Sequence, residues 1–207
     1  GARRRLVTID GATSVTDTSD QLFSAGGPPP IPPAVWSRRA SSFFQGNRFL
    51  TGALVRRVLE LGPGDRFIDL YSGVGLFAVA LAARGSRGLA VESDEGSGAD
   101  LAANARPWGD RLRVMHGTVE EAAGLPLDPP PDLVVLDPPR VGMSPAALAG
   151  VVAWAAPRLI YVSCDPPTLA RDAARLLAAG YRMDSVDGFD LFPNTPHVEA
   201  VAAFVRA

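Results

Sequence analysis

The sequence comprises 207 residues, 47% apolar and 20% charged, proportions that support one sizeable packed domain and exclude wholesale disorder. Its apolar stretches reach about ten residues against the ~20 that a membrane helix needs, which excludes a spanning helix. The net charge is −2 and all 20 basic residues are arginine, so nucleic-acid binding requires a local patch and cannot rest on global charge.

Cys164 is the single cysteine, which excludes an internal disulfide and a cysteine-built zinc or iron–sulfur site and fits a reducing compartment. No basic-then-apolar leader opens the residues given, so secretion has no support. The expectation is a cytoplasmic monomer that engages neither membrane nor metal.

Residues 1–40 read as an irregular linker or the remnant of a preceding domain. A short strand is expected at Arg5–Ile9, followed by a turn-rich stretch from Asp10 to Asp20. Gly26-Gly27-Pro28-Pro29-Pro30-Ile31-Pro32-Pro33 cannot be helical, because proline removes a donor and fixes φ. From residue 41 the pattern sharpens. Phe44–Leu61 reads as a helix with Phe49, Val55, Val58 and Leu59 towards a core, stopped by Gly62-Pro63-Gly64. Strands are then expected at Arg66–Tyr71, Gly88–Glu92, Leu112–His116, Leu133–Asp137 and Leu159–Ser163. Helices are expected at Leu76–Arg84, Glu95–Ala105, Pro145–Ala155 and Pro167–Ala179. Strand–helix alternation with nearly continuous apolar strands means an α/β fold, its parallel sheet covered on both faces. Tyr181–Leu191 and Val198–Val205 follow one another without a helix, so the seven-stranded sheet should finish in an antiparallel strand.

Such a sheet binds ligands outside the carboxyl ends of its strands. At the first end stands Asp69-Leu70-Tyr71-Ser72-Gly73-Val74-Gly75. Its glycines permit a tight strand-to-helix turn and a close backbone approach to a ligand. Asp69 is expected to face the position of a pyrophosphate and to repel it. A cation without phosphate, such as S-adenosylmethionine, tolerates that carboxylate. Glu92 at the second end can accept hydrogen bonds from both hydroxyls of a ribose; the plainer alternative is a tight turn with a solvated glutamate. The fourth end, Asp137-Pro138-Pro139-Arg140, is a stiff extended loop in which Asp137 can hold a ligand. Arg140 projects beside it with a fork suited to a phosphate or a base carbonyl. The fifth end carries Cys164 in Ser163-Cys164-Asp165-Pro166. A free cysteine is usually a small buried hydrophobe. This one stands instead between a strand end and a helix start, where a thiolate is favoured. His197-Val198-Glu199 opens the last strand, with His197 and Glu199 on one face.

Five segments carry a resemblance in one order: Phe43-Phe44-Gln45-x-Asn47, Asp69-Leu70-Tyr71-x-Gly73-x-Gly75, Leu136-Asp137-Pro138-Pro139-Arg140, Tyr161-Val162-Ser163-Cys164-Asp165-Pro166 and Phe192-Pro193-x-Thr195-x-His197-Val198-Glu199. Over residues 41–207 the sequence resembles the S-adenosylmethionine-dependent RNA 5-methyluridine methyltransferases. The resemblance implies a catalytic domain with a Rossmann-like class I methyltransferase fold that methylates uracil C5 in tRNA or ribosomal RNA. By motif position, Gln45, Tyr71, Glu92 and Asp137 would contact S-adenosylmethionine over the Gly73 and Gly75 turn. Cys164 would be the nucleophile and Glu199 the base. Two features depart from the family pattern. Leu76 stands where many members carry asparagine, and the residues given hold neither an N-terminal RNA-binding barrel nor a four-cysteine cluster.

The chemistry accounts for these residue types. A thiolate adding at uracil C6 makes C5 nucleophilic enough to take a methyl group, and a base must then remove the C5 proton before the thiolate can leave. The uridine must leave its stack to be reached. Arg140 would hold the flipped base or its phosphate, and Arg38, Arg39 and Arg48 would form a local positive patch unless they are simply solvated. Two rivals stay open at this point. An amino-methyltransferase also uses an Asp-Pro-Pro loop but usually follows it with an aromatic residue, where Arg140 stands. The other is a non-catalytic piece that binds cofactor or RNA.

Overall fold

The computed structural model describes residues 13–195 and 197–207; the strand expected at Arg5–Ile9 lies outside them. Its centre is a seven-stranded sheet. In chain order the strands are β3 (Arg66–Leu70), β4 (Arg87–Glu92), β5 (Leu112–His116), β6 (Leu133–Leu136), β7 (Arg158–Ser163), β8 (Tyr181–Phe189) and β9 (Glu199–Arg206), arranged β5-β4-β3-β6-β7-β9-β8. The ladders from β5 across to β7 are parallel, and β9 runs antiparallel between β7 and β8. The mostly parallel sheet with an antiparallel last strand is thus the one expected. Central β6, Leu-Val-Val-Leu, is buried at every position because helices cover both faces. Edge strand β8 alternates between buried or half-buried and exposed positions, the pattern of a strand with one wet face.

Two apolar layers sandwich the sheet. One face carries α2 (Thr51–Leu61), α3 (Leu76–Arg84) and α4 (Glu95–Ala105), with Leu54, Val58, Leu81 and Leu101 fully buried. The other carries α5 (Val119–Ala123), α6 (Pro145–Ala153) and α7 (Pro166–Ala178), through Ala122, Val151 and Leu176. No helix of the described residues is long and apolar enough to cross a membrane.

Three stretches differ from the expected elements. Helix α2 begins at Thr51, not Phe44, because Asn47 closes a turn of its own. Its Oδ1 accepts from the backbone N–H groups of Phe49 and Leu50 at 3.1 and 3.3 Å, a local bond that competes with helix formation. Phe49 is consequently 65% exposed and does not face the core. Helix α5 has five residues, too short to show a period. Its start is nonetheless written in Thr118 and Glu121, which cap each other reciprocally. Where residues 13–40 read as irregular, β1 (Ser14–Thr18) and β2 (Val35–Arg39) pair antiparallel, with the single turn α1 (Ser19–Leu22) after β1. This strap folds onto the α2–α4 layer through Leu22, Phe23, Ile31 and Trp36. Trp36 is fully buried and its Nε1 donates to the Gly75 carbonyl at 3.2 Å. Truncating an indole so placed costs about 3–5 kcal/mol.

Candidate active site

The glycine turn after β3 is built to stand away from the sheet. Tyr71, Gly73 and Gly75 have φ of 61°, 55° and 93°. The left-handed region is strained for a tyrosine, a cost that persists only where the surroundings enforce it. A Cβ on Gly75 would lie 2.7 Å from Leu101 Cδ1, and one on Gly73 would meet nothing within 4 Å. Gly75 therefore serves the packing of α3 against α4, and Gly73 faces open space. The turn is held at both ends. Ser72 exchanges hydrogen bonds with Val91, and Asn104 Nδ2 donates to the Val74 and Ser37 carbonyls, both at 2.9 Å. The strap is thereby tied to the turn it covers.

Asp69 departs from expectation. Its Oδ2 accepts from the Ala78 N–H at 2.9 Å, in the first turn of α3, and the residue is fully buried behind the cleft. Oδ1 has no partner. Burial pushes this carboxyl up to about 7 against the pull of that N–H, with the charge of Glu92 adding to the rise. The expectation that Asp69 repels a pyrophosphate is therefore corrected: the carboxylates that face a ligand are Glu92, Asp94, Asp137 and Glu199. The misassignment has a simple cause. Strand alternation gives a face of the sheet, but it cannot foresee that a helix N-terminus will claim the group.

Glu92 ends β4 and is fixed by two backbone donors, Gly73 N–H at 2.8 Å on Oε2 and Asp94 N–H at 2.7 Å on Oε1. It joins the glycine turn to the start of α4 and keeps free lone pairs towards the cleft. The opposite wall comes from residues 41–45, positioned by the strap. Arg38 lies 3.9 Å over the Phe44 ring and is ion-paired with Asp17, while Arg39 pairs with Asp100 at 3.0 Å. Arg48 stacks over Phe49. The expected positive patch is thus not assembled, since two of its three arginines are spent on internal partners. Gln45 is 8% exposed and its Oε1 has no hydrogen-bond partner.

The loop after β6 is anchored from α7. Thr168 Oγ1 donates to the Arg140 carbonyl at 2.9 Å, Arg171 Nη2 to the Val141 carbonyl at 2.8 Å, and the Met143 N–H to Asp172 Oδ2 at 2.9 Å. Fully buried Asp172 also accepts from the Tyr161 hydroxyl at 2.8 Å and pairs with Arg171 and Arg175. Burial opposes its charge, but Arg171, the Met143 N–H and the Tyr161 hydroxyl outweigh it and hold the carboxyl below its ordinary value. Helix α7 begins directly after Cys164, capped by Asp165 on the Thr168 N–H at 2.9 Å. One helix therefore positions both the Arg140 loop and the cysteine.

Glu199 opens β9 and is 2% exposed. The pairing of Ser163 with Ala200 sets it beside the end of β7, where Cys164 follows. Burial raises the Glu199 carboxyl to about 7. Asp137 is raised well above its ordinary value by burial, then by the charges of Glu199 and Asp69. His197 lies to one side with its ring edge-on to Phe192, 6.3 Å between centroids.

These walls enclose a cleft of about 700 Å³. Gln45, Tyr71, Gly73, Glu92, Asp137, Arg140, Cys164 and Glu199 all line it, whereas Gly75 stands behind the wall. Phe77, Ser93, Asp94 and Ser97 also line it, and sequence reasoning missed them. Asp94 does carry a signal, since it caps α4 with its Oδ1 on the Ser97 N–H.

Comparison with known proteins agrees with this geometry. Residues 130–206 match the family model described as tRNA (Uracil-5-)-methyltransferase. The tRNA (uracil(54)-C(5))-methyltransferase of Pyrococcus horikoshii is 35% identical over 80% of this chain and 39% of its own. The 23S rRNA (uracil(1939)-C(5))-methyltransferase of Thiobacillus denitrificans is 37% identical over 81% of this chain and 40% of its own. The crystal structure of the Pyrococcus abyssi tRNA (uracil-54, C5)-methyltransferase in complex with S-adenosyl-L-homocysteine superposes with a TM-score of 0.79 at 31% identity, covering 94% of this chain and 45% of that one. The chain thus spans less than half the length of each of these relatives. The Rossmann-like class I methyltransferase fold expected from the sequence is the fold observed.

Proposed function

We infer that the chain is a member of the S-adenosylmethionine-dependent RNA 5-methyluridine methyltransferases, and we propose that its cleft methylates uracil C5 in tRNA or ribosomal RNA through a covalent bond between Cys164 and C6. The observation that carries this reading is that Glu92, Tyr71, Asp137, Cys164 and Glu199 line one cavity in the order of the strands that bear them, β4, β3, β6, β7 and β9. At about 4.8 Å per strand the row spans ~19 Å, room for a methyl donor and a flipped base side by side.

The residues present fit S-adenosylmethionine. Glu92 offers acceptor lone pairs to a ribose, the space before Gly73 admits close backbone approach, and Gln45 Oε1 is a buried acceptor in want of a donor. When bound, the cofactor supplies an electrophilic methyl group on a cationic sulfur. The chain's own residues do the rest. The Cys164 thiolate forms a bond to C6, and the C5–C6 electron pair moves towards O4. The enolate carbon C5 then takes the methyl group. Glu199 accepts the proton left on C5, the double bond re-forms, and the Cys164 thiolate departs. Arg140, exposed at the rim, holds the base carbonyl or its phosphate. We place catalysis in residues 41–207, with the strap of residues 14–39 as the cover that sets Phe44 and Gln45. A cytoplasmic location follows from an RNA substrate.

The direct test is methyl transfer from labelled S-adenosylmethionine into total RNA lacking 5-methyluridine, with nucleoside and position mapping. Label in 5-methyluridine is the expected result. Label on an exocyclic nitrogen of adenine or cytosine would establish the amino-methyltransferase rival instead. On the cofactor side, calorimetry should find Glu92→Ala weakened in cofactor binding by about 1–3 kcal/mol, the scale of hydrogen bonds to a charged group. An unchanged affinity would remove Glu92 from the cofactor site.

A further inference from the structure

The cleft has an unbalanced charge. Among the described residues its lining holds four carboxylates, Glu92 at the end of β4, Asp94 at the start of α4, Asp137 after β6 and Glu199 on β9, and Asp69 lies buried just behind on β3. Among those same residues the only basic side chain on the wall is Arg140, which is exposed. Tyr71 and Cys164 are the remaining titratable groups there. Glu92 is satisfied by two backbone N–H groups and Asp94 by the Ser97 N–H. Glu199 has no hydrogen-bond partner among the described residues, and Asp69 Oδ1 is left unpaired. Asp137 and Glu199 therefore line one cleft from the strands on either side of β7, and Arg140 is the one basic side chain of that lining among the described residues.

Two carboxyl groups that share one cleft and feel each other's charge resist joint ionisation. A methyl donor that is cationic before transfer and neutral after it makes that resistance useful. Resting on the function proposed above, we infer that Asp137 and Glu199 together hold a proton in the free enzyme, that a cationic cofactor expels it to solvent, and that the neutral product of transfer restores the pair's demand for a proton. The device discriminates substrate from product by charge. It also times the base. The cation ionises Glu199 before chemistry, and methyl transfer removes the cation at the step after which the C5 proton must be taken up. The proton balance closes: one leaves to solvent on binding, one arrives from C5.

The sign of the linkage is fixed. Both carboxyls lie above their ordinary values, Glu199 at about 7 through burial and Asp137 through burial and then Glu199 and Asp69. A ligand that favours the ionised pair must bind more tightly as pH rises, by up to about tenfold per unit for one proton released. A ligand indifferent to the pair should show no such slope.

Titration calorimetry of the unaltered protein at pH 7, in two buffers of different ionisation enthalpy, counts the protons. S-adenosylmethionine should release between about half a proton and one, and S-adenosylhomocysteine close to none. Sinefungin carries an ammonium in place of the sulfonium and should behave like the methyl donor, which separates charge from the size of the methyl group. Between pH 6 and 7 the affinity for the two cations should rise severalfold while that for S-adenosylhomocysteine stays level. The double variant Asp137→Asn with Glu199→Gln, which carries neither carboxyl, should bind the cation without releasing a proton. Equal proton counts for S-adenosylmethionine and S-adenosylhomocysteine, or full release persisting in the double variant, would overturn the inference and leave the proposed function standing. Failure of all three ligands to bind would remove that function itself.

Discussion

A Cys164→Ala enzyme is expected to bind S-adenosylmethionine as the parent does and to transfer no measurable methyl group to uridine, a loss of about 10⁴-fold or more, the scale on which removing a covalent nucleophile acts. The substitution deletes one sulfur from a half-buried side chain with no hydrogen bond to lose, so folding and cofactor affinity serve as controls. The same variant separates the covalent route from its rivals. RNA carrying 5-fluorouridine should trap the parent after methyl transfer, because fluorine stands where Glu199 needs a proton, and a denaturant-resistant protein–RNA band should accumulate. C164A should give no band. An amino-methyltransferase would lose nothing on this substitution, and the parent would show no trapping at all.

That Cys164 stands out in the sequence by itself reflects where a fold of this class carries its information. A parallel α/β sheet delivers its strand ends to one edge, so Tyr71, Glu92, Asp137 and Cys164 follow from finding the strands, and the buried runs mark the strands clearly. β5 at Leu112–His116, α3 at Leu76–Arg84 and α4 at Glu95–Ala105 have the bounds that pattern alone implies. What escaped depends on partners far along the chain or on very local bonds. Trp36 is buried because it meets the Gly75 carbonyl, and no periodicity in a proline-rich stretch announces that contact. Arg38 and Arg39 looked available for RNA, yet their partners Asp17 and Asp100 lie 21 and 61 residues away. Phe49 left the core because Asn47, two residues earlier, closed a turn. The sharing of one cleft by Asp137 and Glu199 is of the same kind. It exists only because β9 inserts between β7 and β8, a choice of topology that the final two strands do not spell out.

Glu199→Gln is expected to divide the reaction. Addition of Cys164 and methyl transfer still occur with ordinary uridine, but removal of the C5 proton slows by about 10²–10⁴-fold, the usual worth of a positioned base. The covalent intermediate should therefore build up on RNA without any fluorine, as a band carrying label from the cofactor. A slow variant without that band would place Glu199 before methyl transfer and end its assignment as the base. In the parent, kcat/KM for the cofactor, which reports the free enzyme, should rise with pH and level off above about 7, where the buried carboxyl is ionised; the variant should lack this rise. Stability should move in the opposite sense. A carboxyl whose folded value is raised favours the fold while protonated, and that contribution is lost as pH climbs through about 7. Glutamine carries no such penalty, so at pH 8 the variant should be the more stable protein, by up to about 3 kcal/mol, and the gap should close below pH 5. A single substitution that costs turnover and gains stability at the same pH identifies a charge held in the cleft for chemistry at the expense of the fold, an outcome that a merely structural glutamate would not give.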